Sequence, residues 1–512
     1  MVPATFVTLE ALPLTPTGKV DRATLLRRAM EGGEEADLTP PRNAAEEVLA
    51  AVWRQVLRRE RIGVHDSFFR LGGDSILSIQ VVARARQAGL VVTPRQVFEE
   101  QTIAALAAVA TPLAAAAAET GEASGEVPLT PVQRYFLAPR PADPHHFNQS
   151  LLLRLAEPLA PAPLGRALAA LAAHHDALRL RLEDGRRAWI APREEGDPLT
   201  LLDLSALPGD RRTGALEAAA AALQAGFDLA RGPLFRAAPF LLGGDERLFL
   251  VAHHLVVDGV SWRILLDDLK TAYQGLPLPA RTTSWKRWAE RLAEYAGSAE
   301  VRSELPYWLA DAAAPLPQDG GEAGLGFATA ALGREATRAL LGEAPAAYAT
   351  QVNDLLLAAL VQTFARWTGE PRLRFDLEGH GREEIAPDLD LSRTVGWFTT
   401  IFPMTLSASP DAAPGDLIRG VKEALRAVPR RGLGYGLLRY LAAAPELAAV
   451  PDPEVAFNYL GQLDAALGGA GSWELAPEPT GPTQSPRQRL RHAVEVNAWV
   501  LGGELRVSWA YD

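Results

Sequence analysis

The chain of 512 residues contains no cysteine and only three methionines. The missing cysteines exclude disulfides, thiolate metal sites and a cysteine nucleophile, and they fit a cytoplasmic location. Basic blocks are absent as well: 51 Lys and Arg face 62 Asp and Glu, for a net charge of −11. Nothing in that balance points to a nucleic-acid partner. No long uncharged apolar run exists, because charges interrupt the alanine-rich stretches. Membrane spans are therefore not expected, and no signal peptide is visible. The abundance of alanine and the excess of arginine over lysine suggest a GC-rich bacterial source. What remains is ordinary globular composition, 48% hydrophobic and 22% charged, at a length suited to about three domains.

The most informative stretch is Arg247 to Trp262, RLFLVAHHLVVDGVSW. Leu248, Phe249, Leu250 and Val251 are apolar on both faces, which predicts a buried strand. The strand delivers His253 and His254, whose side chains must point to opposite faces. One imidazole can pack inside while the other faces a cavity. Asp258 and Gly259 then signal a turn, and SWRILLDDL reads as a helix with Ser261 near its cap.

Taken in order, residues 1–30 form no domain of their own: one strand-like run, a Pro-rich turn and a short helix. The GK pair here is no P-loop, because the glycine five residues before Gly18 is missing. Residues 31–40 are an acidic, glycine-containing linker. Residues 41–112 predict four short helices. Val48, Leu49, Val52, Trp53, Val56 and Leu57 make one helical stripe, and Ile76, Ile79 and Ala83 lie on another. Between them Gly72 and Gly73 allow the backbone of another molecule to come close. Ser75 stands at a helix start, where free N–H groups and the helix dipole suit a phosphate; simple capping by Asp74 or Ser75 is the alternative. Residues 113–126, LAAAAAETGEASGE, are a low-complexity linker. From Val127 to Asp512 helices and strands alternate in two halves of roughly 180 residues, which predicts two lobes, 127–310 and 311–512, around a cleft.

Several of these segments resemble a known family. PTGKVDR is similar to the last segment of an adenylation domain, in which a lysine reaches the adenylate; Lys19 matches it. With the rest of such a domain missing, Lys19 has nothing to act on. DSFFRLGGDSI, set in a four-helix bundle, resembles a peptidyl carrier protein of the nonribosomal peptide synthetases. The resemblance implies 4'-phosphopantetheine on Ser75, flanked by Asp74 and Gly73, and hence a phosphopantetheinyl transferase as a partner. HHLVVDG resembles the signature of the condensation-domain superfamily, whose fold is two chloramphenicol-acetyltransferase-like lobes around a tunnel. The resemblance implies that His254 acts at a thioester, that His253 is packed, and that Asp258 holds its loop by an ion pair with an unidentified arginine. VSW after the signature, FDLEGHGREE (375–384), AFNYLGQ (456–462) and the GGDSI form of the carrier loop lean toward an epimerization domain. The alternative is a condensation domain forming an amide bond between two carrier-bound substrates.

Inversion at Cα needs a group that removes the proton and a group that returns one to the other face, both titrating near the working pH. Glu378 is the second candidate beside His254. It ends the strand LRFDLE on the face opposite Leu373, Phe375 and Leu377; an ordinary loop carboxylate is the alternative. Asn458 and Tyr459 are expected either to line the tunnel or to lie in a plain buried strand, and Trp397 and Phe398 to be core. Three His pairs, 145–146, 174–175 and 253–254, lack the converging ligands of a zinc site, so no metal is expected. The expected neighbours are an upstream adenylation domain and a downstream condensation domain.

Overall fold

The computed structural model describes residues 39–112, 123–193, 196–309, 314–317, 324–463 and 473–512. The adenylation-like segment with Lys19, and most of the linker at 113–126, lie outside them.

The four expected helices are α1 (Ala44–Leu57), α2 (Ser75–Gln87), α3 (Pro94–Glu100) and α4 (Ile103–Val109). Local chemistry sets their ends. The Asn43 side chain accepts from the Glu46 N–H at the start of α1, and Thr93 and Gln96 form a reciprocal capping box at α3. Leu49, Trp53, Phe68, Val81, Val97 and Leu106 close a small separate core, with Trp53 edge-on to Phe68 at 5.0 Å. The close approach expected at Gly73 is internal. A Cβ there would stand 2.4 Å from the Phe68 ring and 2.7 Å from its carbonyl oxygen. The contact with a neighbouring domain falls one residue earlier, at the Gly72 carbonyl.

The large domain contains two main sheets. The first comprises β1 (Asn148–Leu155), β2 (Leu202–Asp203), β3 (Phe235–Leu241) and β4 (Arg247–His253), with α5 (Pro161–His174) and α6 (Gly259–Tyr273) packed together beside it. The second comprises β5 (Gly326–Leu332), β6 (Arg372–Gly379), β7 (Thr400–Ser407), β8 (Val455–Gln462), β10 (Val494–Leu501) and β11 (Glu504–Tyr511), with α7 (Val352–Thr368) behind β6. One short strand, β9 (Trp473–Leu475), leaves the second lobe and adds to the first sheet beside β1. The strand orders are β9-β1-β4-β3-β2 and β5-β11-β10-β8-β6-β7. Thus a segment numbered within 311–512 completes the sheet of the other lobe, and the two lobes are interlocked. At the near end, Gly125 and Glu126, inside the expected linker, form a strand against Arg187–Ile190.

β4 is the third strand of five and is buried along its whole length. That is why its sequence carries apolar residues on both faces. It is antiparallel to both neighbours.

The carrier bundle sits against the large domain. Arg86 pairs with Asp390 at 2.7 Å, Arg431 lies over the Phe98 ring at 4.4 Å, and Gln462 Nε2 donates to the Gly72 carbonyl at 3.1 Å. Ile79 of α2 is 3% exposed and belongs to the large domain's core cluster rather than the carrier's own.

Candidate active site between the lobes

β4 ends at His253, and a single 3-10 turn, His254–Val256, follows before α6. His253 is fully buried. Its Nε2 donates to the Pro144 carbonyl at 2.8 Å and its Nδ1 accepts from the Leu255 N–H at 3.2 Å. Burial pushes its pKa down to about 3, so it is a neutral packing group. His254 turns the other way and is only partly buried. Its ring stacks on Phe147 at 5.2 Å and lies against Trp397 at 4.3 Å; those two rings are 5.9 Å apart, so the three form one aromatic cluster. Trp397, read from sequence as core, is indeed buried, but it is also part of this cluster.

The tautomer of His254 follows from its partners. Trp262 Nε1 can only donate, and it donates to Gln149 Oε1 at 2.9 Å. The other atom of that amide is therefore NH₂, and it faces His254 Nε2 at 2.9 Å. Nε2 accepts, so Nδ1 carries the proton and donates to the Val257 carbonyl at 2.9 Å. The imidazole is neutral with its basic nitrogen toward the cleft side occupied by Gln149, and burial lowers its pKa further. Gln149 was not singled out in the sequence; its only trace there is its place on the strand FNQSLLLRLA.

Asp258, not Ser261, caps α6: its Oδ1 accepts the Ser261 N–H at 2.7 Å. Ser261 sits at the third helical position, and its hydroxyl exchanges hydrogen bonds with the backbone of Gly396. The arginine that pairs with Asp258 is Arg382, from the loop after β6, at 3.4 Å. Arg382 also donates to the Leu391 and Thr394 carbonyls, and Asp258 Oδ2 accepts the Phe398 N–H at 3.1 Å. These bonds tie the start of α6 to the other lobe. Gly381 permits the loop: at φ +67°, a Cβ would lie 1.7 Å from the Phe398 carbonyl oxygen.

Glu378 lies near the end of β6. Strand pairing puts Asp376, Glu378, Asn458 and Glu495 on one face of the second sheet. Asn458 Nδ2 donates to Glu378 Oε2 at 2.8 Å. Burial first, then the like charge of Glu495, raises the Glu378 pKa to about 7, with Asp376 adding to the rise and His492 opposing it. His492 is the second group that sequence reading missed. It is 5% exposed, and its two nitrogens face Asp376 at 2.9 Å and Glu495 at 3.4 Å. Those carboxylates raise its pKa to about 9 against the effect of burial, so it is a buried imidazolium among three acids. Tyr459, next to Asn458, has a buried hydroxyl with no hydrogen-bond partner.

An apolar pocket is lined from both lobes. It is lined by Tyr135, Trp288, Trp397, Phe398, Ile401 and Tyr440, among others. Trp397 lies tilted against His254, and Ile401 pairs directly with Glu378 across β6 and β7.

The other His pairs make hydrogen bonds within the fold. His145 accepts from the Leu229 N–H, and His146 bonds the Pro482 carbonyl. His174, His175 and Asp268 bring ligand atoms within 4.8 Å of one another. However, His175 holds one oxygen of Asp268 and the cationic Arg393 the other, which leaves that carboxylate committed to an ion pair.

Comparison with known proteins agrees with this architecture. The condensation-domain family model matches residues 123–512, and the phosphopantetheine attachment site model matches residues 47–110. The chain therefore belongs to the condensation-domain family and carries a phosphopantetheine carrier domain ahead of it. Among curated relatives, a linear gramicidin synthase of Brevibacillus parabrevis is 45% identical over 100% of this chain. Chondramide synthase cmdD of Chondromyces crocatus is 46% identical, again over 100% of the chain. The chain spans 10% and 14% of those two proteins. Among solved structures, the epimerization domain from the third module of tyrocidine synthetase B superposes with TM-score 0.70 at 34% identity, covering 77% of this chain and 92% of that one. The condensation domain of a Monacolin K polyketide synthase shares the fold, with TM-score 0.62 at 18% identity, covering 77% of this chain and 93% of that one. No described helix is long and apolar enough to cross a membrane.

Proposed function

We propose that this chain is a portion of a nonribosomal peptide synthetase that interconverts L and D configurations at Cα of an aminoacyl or peptidyl thioester. The substrate is tethered through 4'-phosphopantetheine on Ser75. The observation that carries the reading is Glu378, a carboxyl held near pKa 7 on the lobe facing His254. Amide formation between two substrates gives no work to such a group; inversion at carbon requires it.

In the reaction, one group takes the Cα proton and the electron pair moves onto the carbonyl oxygen of the substrate. The opposite group then gives a proton to the other face, and the carbonyl reforms. The neutral His254 suits the removal of a proton through Nε2 once substrate displaces the Gln149 amide that Nε2 accepts from. Glu378, with comparable protonated and ionised fractions at neutral pH, suits its return, and the roles exchange in the reverse direction. Asn458 orients Glu378 through the bond to its carboxyl. The apolar pocket lined by Trp397 and Ile401 is the surface assigned to the substrate's side chain. The tethering group contributes the thioester, which makes the α-proton acidic. The 34% identity to an epimerization domain, against 18–24% to seven other solved relatives, supports the same reading. An upstream adenylation domain, a downstream condensation domain and a phosphopantetheinyl transferase are the partners it implies.

The test is to load the chain with an L-aminoacyl pantetheine in deuterated water, release the product, and measure its chirality and mass. Deuterium at Cα with D-product is expected. An unexchanged L-product would sink the epimerase reading, and amide formation with a second carrier-bound amine would replace it.

A further inference from the structure

Arg263, on the second turn of α6, is buried to 8% exposure. Its Nε and Nη1 have no hydrogen-bond partner. Three other buried arginines of this domain each have several partners, although the Arg382 Nε is also unpartnered. Arg382 has Asp258 and two carbonyls, Arg247 has Asp245 and Glu478, and Arg179 has the carbonyls of Ala172 and Pro192. A buried guanidinium with open donors is unusual and asks for an anion.

Two carboxylates act on Arg263 from a distance, Asp74 before all others, then Asp258, while Arg58 opposes them. Asp258 is fully engaged with the Ser261 and Phe398 N–H groups and Arg382. Asp74 belongs to the carrier loop and accepts the Leu77 N–H at 2.7 Å. Burial therefore dominates, and the Arg263 pKa falls to about 10. From the other lobe, Tyr459 presents its partnerless hydroxyl, and the same Asp74 charge reaches it. The same carrier residue, Asp74, thus acts electrostatically on both groups. That residue immediately precedes Ser75, the first residue of α2. Gln462 fixes the loop there by its bond to the Gly72 carbonyl.

We propose that Arg263, assisted by Tyr459, binds the phosphodiester of a pantetheine arm on Ser75 and so sets where the arm enters between the lobes. A phosphodiester is a permanent anion with free oxygens, which is what a guanidinium with unused donors recognises. Arg263 is a positioning residue in this assignment; it does not touch the reacting carbon. The inference rests on Ser75 being the attachment point.

The test compares apo and pantetheine-loaded full chains of wild type, Arg263→Met, Arg263→Lys and Tyr459→Phe. The readouts are the ³¹P line width of the diester and the change in melting temperature on loading. In wild type a broad line that tumbles with the whole protein is expected, together with a rise in melting temperature on loading. Arg263→Met is expected to narrow the line several-fold and abolish the rise, Tyr459→Phe to narrow it less, and Arg263→Lys to restore part of the width. Tyr459→Phe removes a single oxygen and keeps the test available if Arg263→Met does not fold. Intact mass reports loading separately. A chain that takes no pantetheine at Ser75 sinks the functional reading and this assignment with it. A loaded chain whose line width ignores both residues overturns this assignment alone.

Discussion

His254 and Glu378 sit on opposite lobes and reach a similar condition by opposite routes. On the first lobe an imidazole packs in one cluster with Phe147 and Trp397, with both nitrogens bonded to neutral partners. Burial removes its charge by lowering its pKa. On the second lobe a carboxyl is surrounded by charge: two further acids and one imidazolium share its face. Burial and repulsion favour its neutral form by raising its pKa to about 7. Desolvation alone penalises every charged form, so it drives an acid up and a base down. Near neutral pH the imidazole is neutral and the carboxyl is poised between its two forms, which is the condition for moving a proton in either direction. The difference lies in what tunes each side. The histidine side is insulated, whereas the glutamate side is adjustable through Glu495, Asp376 and His492.

The largest effects should come from removing either wall. His254→Ala and Glu378→Gln are each expected to lower α-proton exchange by about 10²–10⁴-fold, read by deuterium incorporation; full activity in either variant refutes the role of that residue. Next is the tie between the walls. Asp258→Ala leaves Arg382 charged, buried and unpaired, and should destabilise the domain by about 3–5 kcal/mol in denaturant melts.

The pH dependence separates the two sides further. Glu495→Gln removes a like charge that raises Glu378, so the pH limb belonging to Glu378 should move to lower pH. The corresponding His254 limb should stay in place. Stability carries the same signature. A carboxyl whose folded pKa is raised favours the folded state below its unfolded value, and that contribution is lost as pH rises from about 4.5 through about 7. Glu378→Gln should therefore melt higher than wild type at pH 8 and show little gain at pH 4. Equal differences at the two pH values would show that Glu378 is not the buried neutral acid described. The smallest effect belongs to the carrier contact. Arg86→Ala breaks a partly exposed pair with Asp390 and should cost about 0–1 kcal/mol, while weakening the docking of the carrier.

Much of this was legible in the chain because it is local. A run of apolar residues on both faces of RLFLVAH marks an inner strand, and the two-residue alternation sends His253 and His254 apart. The same alternation separates Glu378 from Leu377 and Phe375. Other features were not legible, because partners distant in sequence create them. Gln149, which decides the tautomer of His254, is 105 residues away. Arg382 lies 124 residues from Asp258. His492 meets Asp376 across 116 residues. The crossing of β9 to the other sheet is invisible in its three residues, which read like any short strand. Even the role of Gly73 came out differently: its missing side chain makes room for Phe68 of the same loop.

By itself, then, the sequence determined the identities and local directions of the working groups: a histidine at a strand end, a glutamate on the polar face of a strand, and a serine at a helix start behind two glycines. These follow from the periods of strand and helix and from capping, which involve only near neighbours. Only the tertiary structure decided the charge states, the tie between the lobes and the uncompensated Arg263. Each of these depends on burial and on the field of groups more than a hundred residues away in the chain, or in a different domain, and neither quantity exists before the chain is folded.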